Sequence, residues 1–228
     1  MKETELAKSV IVWLKAQHWE VYQEVQPSSC ARVADIVAVS GRLVWIIECK
    51  TSLSLALLEQ AIEWRGYAHY ISVAVPYPKR SCAGHRAADM FLRQHGIGKI
   101  ETGKYGWSSS GGVDQDIPAR LNRKLVRDIK KDLCEKHKTY AEAGNADGRR
   151  WTPFKNTVNE LKAVVRSNPG ICLKDAIDKT RHHYASDSGA RASISQYLQT
   201  PNQTIIPGVM CKKEGRFLRL YPKVVEGK

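Results

Sequence analysis

The run Tyr70-Ile71-Ser72-Val73-Ala74-Val75 is almost wholly apolar and Pro76 ends it, which predicts a strand covered on both faces. A strand of that kind needs neighbours in its sheet and helices above and below it. The preceding sequence supplies them. Leu6, Val10, Trp13 and Leu14 recur at helical spacing within residues 4–18, and a short strand is predicted at about 20–25. Val33–Val39 and Leu43–Lys50 are β-rich runs separated by Ser40-Gly41-Arg42, which is hairpin chemistry. Helical spacing returns over 54–66, and a helix near 83–95 and a strand near 97–101 complete the order α-β-β-β-α-β-α-β. The expected fold class is α/β, with one mixed sheet flanked by helices.

Charge is distributed unevenly along the chain. Residues 1–116 hold 13 Lys/Arg against 12 Asp/Glu, whereas residues 117–228 hold 23 against 11. Such asymmetry points to a polyanionic partner, and without a strongly apolar amphipathic anchor DNA is expected rather than a membrane. No window approaches the length of a membrane span, and the acidic start Met1-Lys2-Glu3-Thr4-Glu5 lacks the pattern of a secretion signal. Six cysteines (Cys30, Cys49, Cys82, Cys134, Cys172 and Cys211) lie scattered, without C-x-x-C pairs or histidines at zinc spacing. Scattered thiols fit a reducing cytoplasm, and with a DNA partner the expected place in a prokaryote is the nucleoid.

Beyond the first half, residues 102–116 turn to Gly, Ser and Asp and are expected to be a loop or boundary. Residues 117–142 are expected to form a linker helix. Leu121, Leu125, Val126, Ile129 and Leu133 would share its apolar arc, and Arg123, Arg127, Lys130 and Lys131 a basic arc able to track phosphates. Gly144–Gly148 breaks that pattern. From Thr152-Pro153 onward, three helices are expected, the third at about 187–199. A hairpin follows, made by Val209–Cys211 and Arg216–Tyr221 around Lys212-Lys213-Glu214-Gly215. Three helices and a basic hairpin within 78 residues describe a winged helix. The third helix of such a domain would meet DNA through Ser188, Arg191, Ser195 and Gln196, and the hairpin through Lys212, Lys213 and Arg216. The expected division is 1–105, a linker over 106–150, and 151–228. Trp107 and Trp151 are read as packing residues, and His182-His183 as helix-end polarity.

The chemistry is concentrated in the hairpin of the first half. Asp35 interrupts the apolar run Val33-Ala34-Asp35-Ile36-Val37, where an ionised carboxylate is costly unless something pairs with it. Glu48 and Lys50 end the next strand on one face, and a hairpin pairing brings Asp35 to the same face. Two carboxylates and an ammonium suit phosphodiester hydrolysis, which needs a hard cation on oxygen ligands and a positioned water. Asp35, Glu48 and the Cys49 main-chain carbonyl would hold Mg²⁺, with Mn²⁺ able to substitute. Lys50 would orient the attacking water and stabilise developing charge.

Ala34-Asp35, twelve intervening residues and Glu48-Cys49-Lys50 together resemble the PD-(D/E)xK nuclease superfamily, over roughly residues 3–101. The resemblance implies a restriction-endonuclease-like core and a metal-dependent endonuclease acting on DNA. It also implies a site glutamate from the first helix, matched by Glu5; Glu24 is the substitute for it, read first as solvated strand-end charge. A glutamine in the helix after the lysine strand is matched by Gln60. Ala34 stands where the motif often has proline. A nuclease followed by a winged helix is similar in layout to transposon end-cleaving subunits, for which a homodimer or a partner protein bound through the winged helix would complete the assembly. The rival expectation is a DNA-binding regulator or adaptor subunit that keeps the nuclease-like fold without cutting on its own.

Overall fold

The computed structural model describes residues 1–78, 83–103, 112–144, 150–200 and 205–223. It divides the chain into two units, Met1–Trp151 and Thr152–Lys228.

The first unit is built on a six-stranded sheet whose strands lie in chain order: β1 (Glu20–Val25), β2 (Ala34–Ser40), β3 (Leu43–Cys49), β4 (Tyr70–Pro76), β5 (Gly98–Thr102) and β6 (Val113–Ile117). Strands β1 to β3 form an antiparallel meander, β3, β4 and β5 run parallel, and β6 returns antiparallel along β5. The two parallel connections are helical, through α2 (Leu55–Glu63) and α3 (Ala83–His95). Each face of the sheet has its own apolar layer. On one, α1 (Glu3–Ala16) buries Leu6, Val10 and Leu14 against Val21, Ile36, Ile47 and Ala74. On the other, Leu57, Leu58, Ala61 and Trp64 pack with Leu92 against Val37, Ile46, Val73 and Val75. Strand β4 is covered on both sides, as its apolar run predicts, and the mixed α/β sheet matches the expectation.

Two expectations are corrected here. The Gly/Ser-rich stretch expected as a boundary ends in β6, so the first unit does not stop near residue 105. Trp107 and most of Ser108–Gly112 fall outside the described residues, as does Gly148. The linker helix over 117–142 does not form. After β6 the chain runs irregularly to two short 3-10 turns, Ile129–Asp132 and Glu135–Lys138. Its backbone N–H groups are used elsewhere: Arg120 donates to the Gly96 carbonyl at 2.9 Å, Asn122 to that of His69 at 2.7 Å and Val126 to that of Gly66 at 2.8 Å. An N–H engaged with the sheet's end is withdrawn from an i−4 carbonyl, so tertiary bonds override the helical periodicity. Of the five residues expected on the apolar arc, only Ile129 is fully buried, while Val126 is 81% exposed.

In the second unit, α4 (Pro153–Ser167), β7 (Ile171–Cys172), α5 (Leu173–Asp178) and α6 (Asp187–Gln199) precede the hairpin of β8 (Val209–Glu214) and β9 (Phe217–Pro222). Thr152 Oγ1 accepts from the Lys155 N–H and Ser186 Oγ from that of Gly189, capping α4 and α6. Val158, Leu161, Ala176, Ile194, Leu198 and Leu220 form a separate core. Strand β7 was not expected; it pairs with β9 to give the sheet order β7-β9-β8.

Candidate active site

The hairpin register sets the site. Ile36 pairs with Ile47 and Val37 with Ile46, so Asp35 comes opposite Glu48 on the face covered by α2. The two carboxyl groups lie close enough to perturb each other's ionisation. Asp35 Oδ2 also accepts from the Cys49 main-chain N–H at 2.8 Å. Glu48 is 4% exposed, and its Oε1 accepts from the indole N–H of Trp64 at 2.5 Å. Lys50 follows at the strand's end, its Nζ 3.2 Å from Glu3 Oε2. The structure therefore brings Asp35, Glu48 and Lys50 together, with Cys49 between them and its thiol buried on the opposite face with the α1 layer.

Two of the residues implied by resemblance do not join them. Glu5 is exposed, and its carboxylate accepts from the Lys2 N–H at 2.9 Å, capping the start of α1. Glu3, one position into the same helix, reaches Lys50 instead. The sequence carried that signal, because a glutamate at the third helical position is the one that turns back to cap. Gln60 is solvent-exposed, and the side chain that this helical segment sends to the carboxylates is Trp64, just past its end. A tryptophan closing an apolar stripe was a usable cue, since a buried indole N–H seeks an acceptor.

Glu24 lies closer to the site than expected. It holds a left-handed backbone (φ 51°) inside β1, and the β1–β2 ladder passes from Gln23–Ile36 to Val25–Ala34 without pairing it. A non-glycine residue in that region costs roughly 1–3 kcal/mol and persists only where the surroundings enforce it. Gly144 provides part of that enforcement. Its N–H donates to Glu24 Oε1 at 2.9 Å, and a Cβ there would stand 3.0 Å from the backbone of Glu3. Only glycine, here at φ 74°, lets the chain pass between the two glutamates.

Electrostatics follow from this crowding. Burial, then the charge of Asp35, raises Glu48 well above the ordinary carboxylate range, against the pull of Trp64 and Lys50. Burial also raises Asp35, although the Cys49 N–H, Lys50 and the bond from Glu48 oppose it. Burial and mutual repulsion therefore make the fully ionised pair costly, and the two carboxyl groups titrate as a unit. Burial works against the Lys50 ammonium, but Glu3, Asp35 and Glu48 outweigh it and raise its pKa. Glu24 is pushed up to about 7, first by burial and then by Asp35. A carboxyl group raised in the folded state keeps a proton that the unfolded chain has lost, so its contribution to stability falls as pH rises from its ordinary value of 4.5 through about 7. Glu24→Gln keeps the acceptor for Gly144 and removes the titration. It is expected to flatten the decline in melting temperature between pH 5 and 8 and to raise the melting temperature at pH 8. Parallel wild-type and variant curves would refute this.

Among the described residues no group of three His, Cys, Asp or Glu side chains is arranged to hold an ion. The donor set is a carboxylate pair, and its fit to a metal follows from chemistry: Mg²⁺ commonly binds through one or two carboxylates, completing its shell with waters and substrate phosphate. Two buried carboxyl groups raised by burial are also the groups a cation would relieve of their proton.

Of the residues expected to touch DNA, Ser188, Gln196, Lys212, Lys213 and Arg216 are exposed, and Arg191 and Ser195 partly so. Arg191 Nε donates to the Asp187 carbonyl at 3.2 Å and Ser195 Oγ accepts from Gln199 at 2.7 Å. Lys212 stacks over Tyr221 and Arg216 over Phe217. The hairpin turns on Gly215-Arg216 alone, so Lys212, Lys213 and Glu214 belong to β8 rather than to a loop. His182 binds Asp187 at 3.0 Å and His183 binds Thr157 at 2.8 Å, which gives both structural roles. In the first unit Arg127 and Lys131 are exposed, while Lys130 Nζ is tied to the Gly41 carbonyl at 2.8 Å, so the three do not share a helical face. Trp151 packs edge-on against Tyr140. No described helix is long and apolar enough to cross a membrane.

No family model matches the chain, and no curated protein does. Among solved structures, a protein of unknown function from Silicibacter pomeroyi is similar at a TM-score of 0.38 and 18% identity, over 61% of this chain and 86% of its own. A likeness that distant carries no argument about fold or activity.

Proposed function

We propose that the chain is a divalent-metal-dependent DNA endonuclease of the PD-(D/E)xK type, with a restriction-endonuclease-like first unit and a winged-helix second unit. The supporting observation is the Asp35–Glu48 carboxyl pair, held by the hairpin register beside the Lys50 ammonium. A buried acid pair next to a cation is an expensive arrangement for two interior strands unless chemistry uses it.

Asp35 and Glu48 would hold Mg²⁺ or Mn²⁺ together with the Cys49 main-chain carbonyl. Bound there, the ion would polarise the scissile phosphate and acidify its water. The Cys49 N–H and the Trp64 indole hold one oxygen of each carboxyl group, so the remaining oxygens would be the ones offered to the ion. Glu3 restrains Lys50 at the strand's end, where its ammonium can orient the attacking water and offset charge on the phosphorane-like transition state. In the second unit, α6 would enter the major groove through Ser188, Arg191, Ser195 and Gln196, while Lys212, Lys213 and Arg216 touch backbone phosphates. Cutting both strands would call for a second active site, supplied by a homodimer or a partner protein.

The test is cleavage of linear, circular, single-stranded and branched DNA side by side, with Mg²⁺, Mn²⁺ or EDTA. Cutting of at least one substrate in either metal and none in EDTA is expected. Tight DNA binding with no cutting under any condition would replace this reading with that of a DNA-binding regulator.

A further inference from the structure

Opposite the carboxylate end of the sheet, at the amino ends of β4 and β5, lies a cavity of about 570 Å³. Arg65, His69, His95, Arg120, Asn122 and Lys124 line it, and among the described residues no carboxylate does. Its polar groups are arranged as donors. The Val44 N–H donates to His69 Nδ1 at 3.1 Å, so the neutral ring carries its proton on Nε2. Arg65 donates to the His95 carbonyl at 2.8 Å and sits 3.0 Å from His95 Nδ1, which must accept, and again Nε2 keeps the proton. Arg120 and Lys124 enter no ion pair among the described residues.

This collection of positive charge is built rather than incidental. The segment carrying Arg120 and Lys124 is the one expected to be a free basic helix. Its backbone is instead bonded to the carbonyls of Gly96, His69 and Gly66, one for each corner of the cavity's wall. Gly96 (φ 69°) permits the approach, since a Cβ there would stand 3.2 Å from that of Arg120. Like charges gathered around a concave surface repel one another, and an anion of matching charge removes the cost. A lone carboxylate would leave most of the volume empty. Leu121 (41% exposed) and Val126 (81% exposed) on the same wall offer apolar contact to whatever the anion is attached to.

We propose that this cavity binds a phosphate together with its attached nucleoside, at a place separate from the carboxylate pair. The seven residues of β4 separate the two ends of the sheet by about 20 Å, so one site cannot serve as part of the other. The phosphate comes either from a free nucleotide or from a nucleotide within a strand, and the two sources are separable.

The experiment is calorimetric titration of the full chain in EDTA with adenosine 5′-monophosphate, and anisotropy titration with a labelled six-nucleotide single strand over a range of salt. It requires neither metal nor cleavage, so its outcome is independent of the nuclease reading. The double variant Arg120→Glu/Lys124→Glu is expected to weaken binding at least about tenfold at low salt. For the strand, it should also reduce the slope of log affinity against log salt by about 1.4, the contribution of two phosphates. Arg120→Gln/Lys124→Gln, checked by thermal melting, should show the same direction in a folded protein. Lys15→Glu/Arg86→Glu alters exposed cations of the first unit that do not line the cavity, and should change affinity less than threefold. Binding of the mononucleotide identifies a free-nucleotide pocket, and binding of the strand alone identifies a backbone contact. Equal losses from the two Glu pairs, or no effect of the lining pair on either ligand, would overturn the proposal.

Discussion

Lys50→Ala is expected to lower single-turnover DNA cleavage in saturating Mg²⁺ by about 10²- to 10³-fold, the usual cost of deleting one group that stabilises transition-state charge. DNA affinity should stay within a few-fold, because the basic surface of the second unit is untouched. The reasoning rests on position. Lys50 is held by Glu3 at 3.2 Å and is drawn electrostatically toward Asp35 and Glu48, so its charge sits where phosphate oxygens would approach the pair. Arginine should not substitute. Its planar fork would favour a bidentate grip on Glu3, whereas the site accommodates a compact point charge. Asp35→Asn provides the companion measurement, since it retains an acceptor for the Cys49 N–H and removes the negative charge. It should abolish cleavage together with any rise in melting temperature on adding Mg²⁺. Undiminished cutting by both variants would end the nuclease proposal, and loss of cutting with loss of DNA affinity would locate the defect in binding instead.

How much of this was legible beforehand depends on how local each feature is. Strands β1 to β5 and helices α1 to α3 follow from apolar period and breakers, and the structure's element limits agree with the sequence to within a few residues. The convergence of Asp35 and Glu48 was legible in outline, because a short turn confines the hairpin register; the structure closes it on Gly41-Arg42 with Ser40 opposite Leu43, which sets Asp35 across from Glu48. The failures share one cause. Glu5 matches the family position, but as the third residue of α1 it turns back to cap the helix, and Glu3 is the glutamate that meets Lys50. Residues 118–128 carry a genuine helical period, yet their N–H groups are claimed by carbonyls at the ends of α2, β4 and β5, at sequence distances no local pattern can register. Gly144 read as a breaker, and it is the residue that lets a distant segment close over Glu3 and Glu24. Local chemistry announced the two strands of the site, and long-range packing decided which other side chains surround them.

Lys99 is where the largest loss of stability is expected. Its side chain is 6% exposed, and its ammonium lies 2.6 Å from Asp89, 2.8 Å from Asp116 and 3.1 Å from Glu101. These three carboxylates come from α3, β6 and β5, so one cation ties the last helix of the sheet to its last two strands. Burial alone would lower the lysine pKa, but bonds to Asp116, Asp89 and Glu101 hold it well above the usual range, and the group stays charged throughout the working pH. Lys99→Met fills similar space and leaves three carboxylates facing one another, with Glu101 only 4% exposed. Breaking a buried ionic cluster from one side costs roughly 3–5 kcal/mol. For a unit of this size that corresponds to a fall in melting temperature of roughly 6–20 °C. Adding Glu101→Gln to Lys99→Met should recover part of the loss, whereas Glu101→Gln alone should destabilise. A Lys99→Met protein within about 1 kcal/mol of wild type, or a deficit that Glu101→Gln does not reduce, would mean that apolar packing rather than this ion cluster holds β5 and β6 in place.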